Sequence, residues 1–213
     1  MAIPLKNLHV SFLRSCSSMD GLPGDGIPEV AVLGRSNVGK SSLLNTLTGQ
    51  AALAHVSKTP GRTRLLNFFS VNIRKPGQRG DDRPALYLVD FPGYGYAKVS
   101  RDTFKAFAEM AEPYLLHRRQ LRLSLLLVDP MIPPQAMDQD LHALLTRRGH
   151  PVCVVATKWD RLSQAERARA KKVLKETYRV DPLPFSSKTG EGRDALWTRL
   201  LQAVAEEETP ALS

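Results

Sequence analysis

Only two cysteines occur in the chain, Cys16 and Cys153, far apart and in no metal-ligand spacing, which excludes a disulfide-stapled scaffold and a cysteine-built metal centre. Long apolar runs are missing too. None approaches the roughly 18 residues that a membrane-spanning helix needs, and the first twenty residues lack the apolar core and cleavage site of a secretory leader, so a cytoplasmic protein with free thiols is expected. Aromatic residues are few, at 7%, and none lies in the strand pattern of a single-stranded RNA platform. Acidic residues are outnumbered, 21 against 30 Lys and Arg, so the chain carries +9 and favours a polyanionic partner without naming one. There is no internal repeat or low-complexity tract, and 213 residues suit one well-filled α/β core better than two small ones.

What is present begins with residues 34–42, GRSNVGKSS. Gly34, Gly39, Lys40 and Ser41 satisfy every fixed position of the phosphate-binding loop G-x-x-x-x-G-K-[ST], while Arg35, Ser36, Asn37 and Val38 fill its variable positions and Ser42 follows. The context agrees: Val30 to Leu33 reads as a buried strand entering the loop, and a helix leaves it and ends near Gly49. Backbone N–H groups in such a turn converge on an anion, Lys40 reaches the terminal phosphates, and the Ser41 hydroxyl can ligate Mg²⁺.

The remaining chain alternates strand and helix. An added strand is expected at Val10 to Leu13, followed by the turn GLPGDGIP, so that residues 1–29 form an extension. Strands LLNFFSVNI and LYLVD, joined by a charged loop at residues 74–85, should form an antiparallel hairpin. Helices are expected over Thr103–Arg119, Gln135–Arg148, Gln164–Tyr178 and Arg193–Glu207, with strands LRLSLLLV, VCVVA and PLPFS between them. Strands apolar on both faces mean a mostly parallel sheet with one antiparallel hairpin strand and helices on both faces, a three-layer α/β domain over residues 30–208 with a short tail at 209–213.

Two further stretches bear on the ligand. Asp90 opens Asp90-Phe91-Pro92-Gly93 at a strand end, where a carboxylate can hold the water shell of Mg²⁺ and the Gly93 N–H can meet a terminal phosphate. Thr157-Lys158-Trp159-Asp160 follows the strand VCVVA. The Asp160 carboxylate can accept from both N1–H and N2–H of guanine, a donor pair adenine lacks, while Lys158 lays its stem along the base. Phe185-Ser186-Ser187 ends the next strand and can offer a backbone N–H to guanine O6. GTP is therefore favoured over ATP, against a rival reading as an adenine- or metabolite-specific kinase.

The ordered set GRSNVGKSSLLNTLT, SKTPGRT, DFPGYGYAKVS, TKWD and FSS resembles the P-loop GTPases with a Ras-like G domain, among them the translation-factor (TRAFAC) class, and more closely the EngB family (also YihA or YsxC), spanning about Val30 to Gly192. The resemblance implies GTP or GDP with Mg²⁺, slow hydrolysis, monomeric action without a membrane, and a role in assembling the large (50S) ribosomal subunit that normal growth or cell division needs. It also implies a nucleotide contact along Gly61, Arg62, Thr63, Arg64 and Leu65. Thr59 and Thr63 are both candidates for the metal, and the family pattern favours Thr63, with Ser41 and, through water, Asp90 as its companions. Residues 57–64 and those after Asp90 should be the two switches. The chain departs from the family where PMIPP follows Asp129 and in the loop 74–85.

Many GTPases orient water with a glutamine after the Asp-x-x-Gly glycine, whereas this chain has Tyr94, so unaided hydrolysis should be slow. A K⁺ ion held by Asn37 is one substitute; the other reading of Asn37 is a turn residue tolerant of unusual backbone angles. From Arg161 to Arg179 seven basic residues face two glutamates, which suits rRNA through counterion release, with His117, Arg118, Arg119 and Arg122 adding to it. The alternative function is a basic RNA-binding protein whose nucleotide site is structural.

Overall fold

The computed structural model describes residues 7–50, 53, 65–73, 83–95 and 111–205. One seven-stranded sheet carries the chain: β1 (Leu8–Cys16), β2 (Glu29–Gly34), β3 (Leu66–Ile73), β4 (Leu86–Asp90), β5 (Leu121–Val128), β6 (Val152–Ala156) and β7 (Leu183–Pro184), in the order β1-β3-β4-β2-β5-β6-β7. Only β3 is reversed. It is antiparallel to both β1 and β4, so the expected hairpin is joined by a second antiparallel pairing, and the β2–β4, β2–β5, β5–β6 and β6–β7 pairs are parallel.

Every residue of β2 and β4 is buried because helices cover both faces. Alternation along β2 divides the core: Val30 and Val32 point to one side, Ala31 and Leu33 to the other. On the first side lie α1 (Lys40–Thr48) and α5 (Arg193–Ala205), whose Leu43, Leu44, Leu47, Leu196, Trp197 and Leu200 fill the layer. Trp197 also donates from Nε1 to the Leu47 carbonyl at 3.0 Å. On the second side, a helix at residues 111–117 (α2) with α3 (Ala136–Arg147) and α4 (Gln164–Tyr178) contribute Tyr114, Leu145, Leu174 and Tyr178.

Two strands differ from their expected bounds for identifiable reasons. Pairing with β3, rather than burial, holds β1: only Val10 and Cys16 are buried, so its length was invisible to apolar pattern. β7 shrinks to two residues because Pro182 and Pro184 have no N–H to donate, although Phe185 N still bonds the Ala156 carbonyl at 2.8 Å. The helices at 136–147 and 164–178 stand as expected, the latter opened by a reciprocal Ser163–Glu166 cap. Residues 206–213, 96–110 and 74–82 of the expected elements lie outside the described ones. Among the described residues no helix is long and apolar enough to cross a membrane.

Candidate functional site

β2 is the central strand, and the loop at its carboxyl end occupies the middle of the sheet edge. Its path needs glycine. Gly34 has φ +150°, and a Cβ there would stand 2.9 Å from both the Leu127 carbonyl and Val38 Cγ1; Gly39 has φ +113° as it caps α1. Asn37 also takes a left-handed conformation, φ +63°, and is exposed at the loop tip. Lys40 folds back, its ammonium donating to the carbonyls of Gly34 at 2.9 Å and Arg35 at 3.2 Å. Burial draws its pKa down while Asp90 and Asp138 pull it back up. Ser41 is half-buried on the first turn of α1, beside Lys40, and Ser42 is exposed.

Asp90 is 7% exposed at the end of β4, directly across from Asn67. Burial pushes its carboxyl up to about 6 against the pull of Lys40 and the Asn67 amide. Its Oδ1 is buried with no hydrogen-bond partner, an acceptor suited to a water or metal-bound water. After buried Phe91 and half-buried Pro92, residues 93–95 lie against the phosphate loop: Ser36 N donates to the Tyr94 carbonyl at 2.8 Å, Ser36 Oγ to the Gly93 carbonyl at 3.3 Å, and Arg35 Nη2 to the Gly95 carbonyl at 3.2 Å. Gly93 is a close approach, since a Cβ there would meet Lys40 Nζ at 2.8 Å.

At the other end, Thr157 ties the two loops together. Its buried hydroxyl lies 2.7 Å from the Val38 carbonyl and 3.1 Å from that of Val128. Lys158, φ +52°, is half-buried and donates to Asp129 Oδ2 at 2.7 Å. Trp159 is buried, its N–H bonded to the Phe185 carbonyl at 3.1 Å. The Asp160 carboxylate accepts from the Ser186 hydroxyl at 2.6 Å, which holds its pKa below the usual range and keeps it an acceptor at neutral pH. Ser186 Oγ in turn accepts from Lys188 N at 3.2 Å and Thr189 N at 3.1 Å, while the exposed Ser187 receives the Thr46 hydroxyl on its carbonyl. A fixed carboxylate, a lysine stem and a phosphate cradle thus share one edge of the sheet, in the order a purine nucleotide requires.

A family model described as 50S ribosome-binding GTPase matches residues 29–158. A protein of Anaeromyxobacter sp. (strain K) named probable GTP-binding protein EngB is 42% identical over 212 residues, 98% of this chain and 97% of that one. The chain belongs to the EngB family of GTP-binding proteins. A namesake from Acidobacterium capsulatum is 44% identical over 93% of this chain and 92% of its own. Two solved structures show the same fold: a probable GTP-binding protein engB at TM-score 0.66, 21% identical, covering 84% of this chain and all of that one, and Aquifex aeolicus Era bound to GDP and AlF4⁻ at TM-score 0.63, 23% identical, covering 85% and 58%. The EngB chain is therefore a GTP-binding GTPase with a three-layer α/β G domain.

Its fold brings residues 34–42, 90–93, 157–160 and 185–187 to one edge. Leu65 is half-buried just before β3, and Gly61, Arg62, Thr63 and Arg64 lie outside the described residues. Three partnerships at this edge were not anticipated: the hydroxyl of Ser186 with Asp160, Asp129 with Lys158, and Asp138, which is 3% exposed, with the Tyr94 hydroxyl it receives at 2.8 Å. The basic surface needs correction. Arg118 is not available to a partner, because it is committed to the fully buried Glu29, which Tyr114 also contacts. On α4, Arg167 pairs with Glu191 and covers Trp159, Lys175 reaches Asp181, and Val173 is 39% exposed. Arg161, Arg169, Lys171, Lys172 and Arg179 are exposed.

Proposed function

We propose that this EngB-family protein binds GTP with Mg²⁺ along the edge just described, hydrolyses it slowly, and acts as a switch in assembly of the 50S ribosomal subunit in the cytoplasm, the GTP form engaging the precursor. The observation that carries the nucleotide half is the Ser186-pinned Asp160 beside a lysine-bearing phosphate loop. The ribosomal half is supported by the description of the matching family and by the exposed cations of α4, which suit phosphate neutralisation on rRNA.

Lys40 would exchange the carbonyls of Gly34 and Arg35 for phosphate oxygens, and the turn N–H groups of Asn37 and residues 39–41 would hold the remainder. Gly93 would donate to the γ-phosphate. Ser41, Thr63 and, through water, Asp90 would hold Mg²⁺; the partnerless Asp90 Oδ1 fits that role, and the bound ion would neutralise charge across the β- and γ-phosphates. Asp160 would accept from the guanine edge with Lys158 along the base and Trp159 and Phe185 anchoring the loops. Hydrolysis is slow in this reading because the Tyr94 hydroxyl is committed to Asp138 and orients no water. Asn37 then serves as a K⁺ ligand; equal rates in KCl and NaCl reject that part.

Cosedimentation with 50S subunits in GTP, GDP and a non-hydrolysable analogue tests the switch. Binding is expected with GTP and the analogue, weak with GDP, and reduced by reversing Lys171, Lys172 and Lys175 to Glu at low salt. Binding indifferent to the nucleotide supports the alternative, an RNA-binding protein with a structural nucleotide site.

A further inference from the structure

Asp138 belongs to none of the sequence motifs, yet it is among the most buried acidic residues of those described, and it lies within the electrostatic reach of Arg35 and Lys40 of the phosphate loop. It stands in the first turn of α3, and four groups from four elements face it. The Tyr94 hydroxyl donates to Oδ1 at 2.8 Å, Arg35 and Lys40 approach from the phosphate loop and the start of α1, and Tyr178 approaches from α4. Burial raises the Asp138 pKa, while Tyr94, Arg35 and Lys40 draw it back. Lys40 therefore lies in the field of two buried carboxylates, Asp90 and Asp138.

The link through Tyr94 has a further effect. Residues 93–95 already meet the phosphate loop through the N–H and hydroxyl of Ser36 and the guanidinium of Arg35, but on their own side these contacts use only backbone carbonyls. Tyr94 supplies the segment's own side-chain anchor, since Gly93 and Gly95 have none to offer: a phenol 5% exposed and tied to the first turn of α3. With that anchor in place, Gly93 is held so close to Lys40 that a methyl group on it would stand 2.8 Å from the ammonium. Lys40 marks the terminal-phosphate end of the loop, so the anchor holds the Gly93 backbone at the end where a γ-phosphate would be met.

Building on the GTP-binding reading of this edge, we infer that Asp138 is a positioning residue for the γ-phosphate contact: by gripping the Tyr94 hydroxyl it fixes the Gly93 backbone next to Lys40 and so raises affinity for GTP relative to GDP. The chain discriminates the triphosphate partly from α3, outside both the phosphate loop and the Asp-x-x-Gly segment. Because the hydroxyl and the carboxylate act as one unit, removing either should cost the same and removing both should cost little more.

The test is titration calorimetry of the full chain with GDP and with a non-hydrolysable GTP analogue, both with Mg²⁺, for wild type, Tyr94→Phe, Asp138→Leu, which has no acceptor for the phenol, and the double variant. A hydrogen bond to a charged group of this kind predicts roughly a tenfold loss of analogue affinity in each single variant, with GDP affinity changed less than twofold. The double variant should match the singles within about threefold. Equal losses for both nucleotides, additive losses, or no loss each overturn the inference. Tyr94→Phe, which keeps the ring in the core, decides the matter alone if Asp138→Leu does not fold. Wild type that binds neither nucleotide would instead overturn the reading of the site on which the inference rests.

Discussion

Ser186 offers the sharpest test of how the guanine end is built, because one buried hydroxyl does three things. It donates to Asp160 Oδ1 at 2.6 Å and accepts from the N–H groups of Lys188 at 3.2 Å and Thr189 at 3.1 Å. Ser186→Ala removes all three without changing volume much. The turn itself should survive, since Gly190 N still bonds the Ser186 carbonyl at 2.9 Å and Ser186 N the Glu191 carbonyl at 3.0 Å. Leaving two partly buried N–H groups without an acceptor then costs about 1–2 kcal/mol of stability. For binding, Asp160 loses the charge-assisted bond that selects one rotamer, and re-ordering a freely rotating carboxylate on the base costs about 1–1.5 kcal/mol, or about tenfold in Kd. GTP and GDP should weaken together, because the hydroxyl acts on the base and not on the phosphates. The assay is displacement of a fluorescent GDP analogue by GTP, GDP and ATP, with urea denaturation alongside. A variant that keeps guanine-nucleotide affinity within twofold, or that loses GTP and GDP unequally, would refute the role given to Ser186.

Gly192→Ala should be severe, since its Cβ would lie 1.9 Å from the Pro184 carbonyl oxygen at a residue with φ +84°; we expect a loss of at least about 3 kcal/mol by urea denaturation, and a loss under 1 kcal/mol contradicts the geometry. His150, bonded to the Ser124 hydroxyl at 3.0 Å, is held neutral by burial with its pKa pushed down to about 4. Its ordinary value is near 6.5, so the unfolded chain binds the extra proton first: the contribution is complete above about pH 6.5 and is lost as pH falls toward 4. That shift caps the loss at about 3 kcal/mol, nearer 1 with the screening its partial exposure brings, and His150→Gln should flatten the stability difference between pH 7.5 and pH 5.

Much of this site could be read in the chain because its chemistry is local. A phosphate loop needs its glycines, lysine and serine within eight positions, and strand, turn and helix must follow one another there; GRSNVGKSS meets both conditions by itself. Asp90, Asp160 and the helices at 136–147 and 164–178 were legible for the same reason, since strand ends and helical periodicity are short-range signals. The single reversed strand followed from two apolar runs joined by a polar loop. Other features depend on residues distant in sequence. Glu29 takes Arg118 out of the basic surface across 89 positions, Tyr94 finds Asp138 across 44, and Ser186 finds Asp160 across 26. No local pattern marks such pairs, because each partner is brought into reach by the packing of separate elements, and burial of Glu29, Asp138 and Ser186 makes a hydrogen-bond partner necessary there. The sequence by itself determined that the chain is a guanine-nucleotide binder and which loops carry the motifs proposed to hold the nucleotide; the tertiary structure decided which side chains at that edge are already committed, because packing ties some charges into the core before any ligand arrives.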